Sequence, residues 1–371
     1  MSTTRHAEIA GAGFAGLTAA IALRQRGWTV RVHERGEELR ALGAGIFLWH
    51  NSLQVLRDLG AYDRVRDGAH RPPFYETRIH NATASKETFF GTEYLTMTRE
   101  HLHRGLADAA VEAGVEIVTG SQVVGADAEG ALTLESGETL QADLIVGADG
   151  VRSKVRDSLG FAYERTSSRD GIARVLIPRD REYVGGDWDN VIDMWNFAPR
   201  VMRVLYVPCN DDWLYLGLMA PNEDEEAARV PIDLRTWVDM FPFLERALQR
   251  VAELPSARRD TYETRVLDSW VRGRVALIGD AAHAMCPALA QGAGCGMVNG
   301  YTLAASVNGG DVRQSLAEWE SGFRGYTDRC QTRSAWFAET RSMSRGNQFT
   351  PEMLETAAFD PTLAVASGVT R

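Results

Sequence analysis

Residues 7–35 read AEIAGAGFAGLTAAIALRQRGWTVRVHER. AEIAGAG is a short apolar run ending in glycines, FAGLTAAIALRQRG is rich in the strong helix formers Ala and Leu, and WTVRVHER is a second strand-like run. The stretch parses as strand, helix, strand, a βαβ unit whose two strands lie parallel in one sheet. Gly11, Gly13 and Gly16 fall on the first strand-to-helix turn. Gly11 permits the tight turn, Gly13 lets the backbone approach a pyrophosphate, and Gly16 allows close packing of the helix, whose N-terminus faces the phosphate charge. Glu34, at the end of the second strand, is placed to accept hydrogen bonds from ribose hydroxyls. Glycines also serve ordinary turns, and the triplet alone is a weak signal. With this strand, helix and acid it reads as dinucleotide binding, either FAD or NAD.

Outward from that unit, two more glycine-bounded strands follow, ADLIVGADG at 142–150 and RVALIGDAAH at 274–283. Between about 170 and 265 the runs IDMWNF, RVLYVP and DWLYLGLM alternate and carry many aromatics, as an antiparallel sheet with one buried face does. PPFYETRIHN (72–81) is bounded by prolines, strand-like, and able to join that sheet; VRQSLAEWESGFRGYTDRC, beyond 311, is helical, and the last 20 residues read as a loose tail. The expected fold is α/β: a Rossmann-like dinucleotide-binding domain with a second, substrate domain built on an antiparallel sheet. The boundaries place 1–70, 98–168 and 268–325 in the first, 71–97 and 169–267 in the second, and 326–371 in a C-terminal helix and tail.

A chain of 371 residues suits two domains around a shared cleft, and its 44% hydrophobic and 24% charged residues argue for a globular chain rather than a disordered one. The net charge of −10 offers no general attraction to nucleic acid or an anionic membrane, so neither is expected as a partner. No apolar run approaches the roughly 20 residues needed to span a bilayer, and MSTTRHAE lacks a signal core, which points to the cytoplasm. Cys209, Cys286, Cys295 and Cys330 lack CxxC spacing, so neither a metal site nor a disulfide framework is expected; buried thiols are.

GADGVRSKVR (147–156), together with Gly279-Asp280-Ala-Ala-His283, Pro287 and Gln291-Gly-Ala-Gly294, resembles, in order and along almost the whole chain, the signatures of the para-hydroxybenzoate hydroxylase-like flavoprotein monooxygenases. That resemblance implies non-covalent FAD on the first βαβ unit. The implied cofactor contacts are Gly11, Gly13, Phe14, Ala15, Gly16, Glu34 and Arg35, with Arg40 and Arg99 near the phosphates, Asp280 on the ribityl chain, and Gly292, Ala293 and Gly294 opening a helix toward the flavin. Asp280 also reads as a plain helix cap, and Arg40 or Arg99 as a solvated surface arginine. His283 reads as structural rather than as a general base.

The strings GIFLWHNSLQVL, IDMWNF, LYLGLMAP and MFPFLE are similar, more narrowly, to the members of that family that oxygenate 3-hydroxypyridine carboxylates, as in vitamin B6 degradation. This resemblance places the polar active-site residues on Tyr75, Arg203 and Tyr215, and pocket walls on Phe47, Trp195 and Pro287; Phe47 stands where a tyrosine is expected. Taken alone, each of these tyrosines reads equally as strand packing and Arg203 as a solvated arginine. The implied reaction reduces the flavin with NADH or NADPH visiting transiently, forms a C4a-hydroperoxyflavin with O2, and oxygenates a hydroxylated aromatic acid, with possible ring opening. A hydroxybenzoate-type hydroxylase is the alternative. A flavin halogenase or an isoprenoid reductase would share the FAD signatures, but neither a WxWxIP string nor a long lipid-like apolar groove pattern is present. An escort protein without chemistry should lack the flavin-facing signatures, and a homo-oligomer is compatible with all of these readings.

Overall fold

Apolar strand His6–Ala10 lies near the middle of a six-stranded sheet ordered Val271–Arg272, Val275–Leu277, Leu144–Gly147, His6–Ala10, Thr29–His33, Glu116–Val118. All neighbours are parallel except the short edge pair at 271–277. Parallel strands covered on both faces read as near-continuous apolar runs, and Ile9, Leu144, Ile145 and Val146 are fully buried. Helix Phe14–Arg24 lies on this sheet. The computed structural model describes residues 4–40, 43–88, 93–254 and 257–343; the tail expected over the last 20 residues lies outside them.

The second sheet has seven strands, in the order Arg259–Leu267, Tyr163–Pro178, Trp213–Pro221, Met202–Pro208, Val191–Asn196, Tyr75–Ile79, Ala82–Glu87. It is antiparallel except where Tyr75–Ile79 joins Val191–Asn196 in parallel. The 72–81 run thus enters this sheet from outside its main block. One face of the sheet carries Val175, Ile177, Met194, Val204, Leu216 and Leu218 and packs on Trp237 and Phe241 from the helix Leu234–Met240 and its end. Alternation sends Asp193, Trp195, Arg203, Leu205, Tyr215 and Met219 to the opposite face. That face meets the two-stranded antiparallel sheet of Gly45–Trp49 and Tyr94–Thr98: Ala44, Phe47, Trp49 and Tyr94 form one cluster with Val191, Val207 and Tyr215. A Cβ on Gly45 would stand 2.6 Å from the Tyr215 Cβ, so this contact requires a glycine.

Two expectations need correction. The strand expected over 274–283 stops at Leu277, because Gly279 takes φ +60° and turns the chain into a short helix, Asp280–His283. The boundary expected at 325/326 falls inside one helix, Val312–Thr340, whose Asp311 caps the Gln314 N–H. Among the described residues no helix is long and apolar enough to cross a membrane.

Candidate active site

The glycine turn is shaped as its spacing implies. Gly11 has φ +100°, and a Cβ there would lie 2.4 Å from the Ala148 carbonyl oxygen; one on Gly16 would lie 2.1 Å from the Gly11 oxygen. At Gly13 no atom stands within 4 Å of the Cβ position, which leaves open space beside the first turn of helix Phe14–Arg24, and no side chain caps that helix. An anion can therefore approach the N–H groups there. Glu34 is half-buried and accepts from Ala12 N and Gly36 N, at 3.2 and 2.9 Å, which fixes its carboxylate beside the loop. Arg35 and Arg40 are exposed. Arg99 opens the helix Arg99–Glu112, lies 4.8 Å from the Phe14 ring centroid, and has its charge disfavoured by burial and favoured by Asp280. His103 Nε2 donates to the Ala12 carbonyl at 2.7 Å and braces the loop from below.

The second and third signatures interlock. The Asp149 carboxylate accepts from Lys154 N and Val155 N; Arg156, fully buried, donates to the carbonyls of Val151 and Ala281. These bonds hold the turn that presents Asp280. Asp280 is exposed and its carboxylate makes no hydrogen bond among the described residues, which leaves it available to a ligand hydroxyl and does not favour the cap reading. Helix Gly292–Ser306 begins without a side-chain cap or an acid in its first turn, so positive dipole charge faces the cleft. Its Gly296 and Gly300 ride against helix Phe14–Arg24: a Cβ on Gly300 would lie 2.8 Å from the Ala15 oxygen. The two helices are thus locked together. His283 is buried, shares a short hydrogen bond with Asn299, and burial disfavours its charge.

Across the cleft, strand register builds a polar cluster on the inner face of the seven-stranded sheet. Trp195 pairs with Arg203 and Val191 with Tyr75, which puts Asp193 diagonally between Arg203 and Tyr75. Arg203 Nε and Nη2 donate to the two Asp193 oxygens at 2.6 and 3.0 Å, the Tyr75 hydroxyl donates to Asp193 at 3.3 Å, and the guanidinium sits 4.7 Å from the Trp195 ring centroid. Burial opposes the Arg203 charge, yet Asp193 outweighs it and holds the guanidinium more firmly protonated than usual. Burial pushes the hydroxyls of Tyr75, Tyr215 and Tyr262 above the usual phenol range. Arg174 lies against Tyr215 and is ion-paired with Asp260 at 3.0 Å. Phe47 and Trp195 lie in neighbouring apolar clusters bridged by Leu205, and Pro287 is exposed at the start of the turn Pro287–Leu289.

The cluster brings together Tyr75, Arg203, Tyr215, Phe47 and Trp195, and it changes one expectation. The reading of Arg203 as a solvated arginine does not hold, because its guanidinium is paired with Asp193 on the inner face of the sheet. Sequence reasoning does not single out Asp193, Arg174, Tyr262 or Arg341. A signal existed for the first two, since IDMW and IARV each place one charge at an inward position of a short, otherwise apolar run. Arg341 follows the end of the long helix, and burial and Arg203 lower it to about 10; nothing local in the sequence marks it.

A dinucleotide-type glycine turn on a parallel sheet, with a buried polar and aromatic cluster on a second sheet, is the arrangement of an FAD-dependent monooxygenase of aromatic compounds. Residues 4–316 match the FAD binding domain family, FAD_binding_3, and the chain belongs to that family. The solved tetrameric form of 2-methyl-3-hydroxypyridine-5-carboxylic acid oxygenase is 59% identical, with a TM-score of 0.90 over 97% of this chain and 98% of that one. AqdB1 of Rhodococcus erythropolis is 43% identical over 91% of this chain and 89% of its own. The 2-heptyl-3-hydroxy-4(1H)-quinolone synthase of Mycobacteroides abscessus is 38% identical over 89% and 88%. The glycine turn, Glu34, Asp280 and the uncapped helix at Gly292 together fit FAD.

Proposed function

We propose that the chain consumes NADH or NADPH and O2 to oxygenate a small hydroxylated aromatic acid, with 3-hydroxypyridine carboxylates first and hydroxybenzoates second. Bound FAD supplies hydride acceptance and oxygen activation. Gly11, Gly13, Phe14, Ala15, Gly16, Glu34 and Arg35 hold its adenosine and pyrophosphate, with Arg40 and Arg99 at the phosphates. Asp280 takes the ribityl chain, and Gly292, Ala293 and Gly294 meet the flavin ring, all without a covalent link. Tyr75, Arg203 and Tyr215 bind and orient the substrate ring, while Phe47, Trp195 and Pro287 wall the pocket and exclude water. The observation that carries this reading is the Arg203–Asp193–Tyr75 cluster, a charged and hydrogen-bonding patch set among the buried aromatic and aliphatic side chains of the inner sheet face. The pyridine-carboxylate oxygenase neighbour supports the substrate class, and its tetrameric form supports a homo-oligomer.

A 4-quinolone is the second reading, favoured by the quinolone synthase relative and by the apolar stack of Phe47, Trp49 and Tyr94. The test is NAD(P)H oxidation by the flavin-loaded protein with hydroxypyridine carboxylates, hydroxybenzoates and a 2-alkyl-4-quinolone. Stimulation by the first class supports the primary reading. Stimulation by the quinolone alone replaces it.

A further inference from the structure

Ala12 stands between Gly11 and Gly13, so the peptide planes on either side of it lack the Cβ atoms that would restrict their rotation. Two side chains restrict it instead. The Ala12 N–H donates to Glu34 Oε2 at 3.2 Å, and the Ala12 carbonyl accepts from His103 Nε2 at 2.7 Å. A carbonyl oxygen only accepts, so Nε2 carries the imidazole proton. Both Ala12 and His103 are buried. His103 is set by helix Arg99–Glu112, whose Leu102 and Leu106 are fully buried, and its ring meets that of Phe14 edge-on at 6.2 Å.

The peptide between Ala12 and Gly13 is trans. In a planar trans peptide the carbonyl and the following N–H point in opposite directions. The Ala12 carbonyl points at His103, so the Gly13 N–H points away from it. Gly13 is itself exposed, lies in extended conformation at the start of helix Phe14–Arg24, and has no atom within 4 Å of a Cβ position, so a ligand can reach it. A flipped peptide would present the Ala12 carbonyl oxygen on that side instead, and an acceptor offers nothing to a phosphate oxygen.

We propose that His103 is a positioning residue for the cofactor: by holding the Ala12 carbonyl it fixes the Gly13 N–H as a donor to the pyrophosphate of FAD. This deepens the proposed function and rests on the reading of the glycine turn as the pyrophosphate site. A donor already oriented needs no reorganisation when the anion arrives, so the benefit appears as affinity. Arg99, one turn earlier on the same helix face, is the charged contact assigned to the phosphates. His103 acts through the Ala12 peptide instead of touching the phosphate.

The test compares the FAD-loaded wild type with His103→Phe and His103→Gln. Two quantities are read: the dissociation constant of FAD, from the flavin fluorescence that appears on dilution, and the phosphorus NMR shifts of the bound pyrophosphate. Phe keeps a ring against Phe14 without a donor, and Gln supplies an amide donor of similar reach. His103→Phe should raise the dissociation constant about tenfold or more and move the phosphorus resonances toward those of free FAD, while His103→Gln stays near the wild type in both. Urea unfolding of the same proteins separates a loss of stability from this effect. If His103→Phe destabilises the fold yet keeps the wild-type constant and phosphorus spectrum, the brace is structural only and the proposal is overturned; His103→Gln as impaired as His103→Phe overturns it as well. Should His103→Phe not fold, His103→Met, unbranched and without a donor, carries the same expectation and the same refutation. A wild-type protein that takes up no FAD overturns the reading of the glycine turn itself, an outcome distinct from the failure of the His103 inference alone.

Discussion

Replacing Arg203 with Met costs stability as well as ligand affinity, and the two losses can be separated. The Arg203 side chain is 18% exposed and that of Asp193 6%, and the pair is joined by two hydrogen bonds. Deleting one partner of a buried pair costs about 3–5 kcal/mol, mostly because the other charge is left uncompensated. Asp193 would keep the Tyr75 hydrogen bond, and Arg203 is partly open to solvent, so the lower end, about 3 kcal/mol, is expected for Arg203→Met. Adding Asp193→Leu removes the stranded carboxylate and should return the protein to within about 1 kcal/mol of the wild type, because an apolar replacement of a buried pair is often neutral. Ligand affinity should not return: loss of a charge-assisted bond worth roughly 1.5–3 kcal/mol weakens binding about 10- to 100-fold in both variants. Urea unfolding gives the first quantity and flavin absorbance titration the second. FAD content should be unchanged, since the cradle lies on the other sheet. The reasoning fails if Arg203→Met unfolds like the wild type, or if the double variant is as unstable as the two single losses summed.

Asp280→Ala should lower the FAD content of the purified protein while leaving the stability of the apoprotein in urea within about 0.5 kcal/mol, because the carboxylate is exposed and makes no hydrogen bond among the described residues; wild-type occupancy and turnover would reduce Asp280 to a helix-end residue. Gly300→Val should separate the two cofactor-facing helices, since even its Cβ would stand 2.8 Å from the Ala15 oxygen, and overpacking of about 1–3 kcal/mol should appear together with weaker FAD binding; an unchanged thermal midpoint contradicts this. At Glu8 burial works to raise the carboxyl, but hydrogen bonds and charge from His33 and His6 prevail and hold it below the ordinary range. A carboxyl depressed by folding stabilises above its unfolded value and loses that contribution as pH falls through the folded one. Glu8→Gln should therefore flatten the stability loss below about pH 4.3, and superimposable acid limbs would show that the cluster contributes nothing.

The cofactor side of the cleft was the legible side, because its signals are local. A Gly11 that needs positive φ, a Gly16 with no room for Cβ, and a carboxylate ending the next strand are all set within one βαβ unit. The substrate side depends on register between strands far apart in the chain. Alternation alone puts Asp193 and Arg203 on inner faces, but only the pairing of Trp195 with Arg203 and of Val191 with Tyr75 makes Asp193 the hub of both side chains. Without that register Arg203, taken alone, reads as a solvated arginine. Arg341 lies farther still from any local pattern: it reaches the pocket because a 29-residue helix ends beside the second sheet, where Met343 N donates to Asp170. The misread strand at 274–283 has a local cause, a positive-φ glycine inside an apolar run that otherwise looks continuous.

The measurement that bears most directly on the account is mass spectrometry of the product formed from 5-hydroxypyridine-3-carboxylate, NAD(P)H and isotopically labelled O2. The expected result is a product carrying at least one labelled oxygen atom, formed in step with NAD(P)H oxidation and absent without FAD; one labelled atom in an acyclic product also fits, with water supplying the second oxygen. Recovery of the aromatic acid unchanged, with all consumed oxygen appearing as hydrogen peroxide, would contradict the assignment of this acid as substrate.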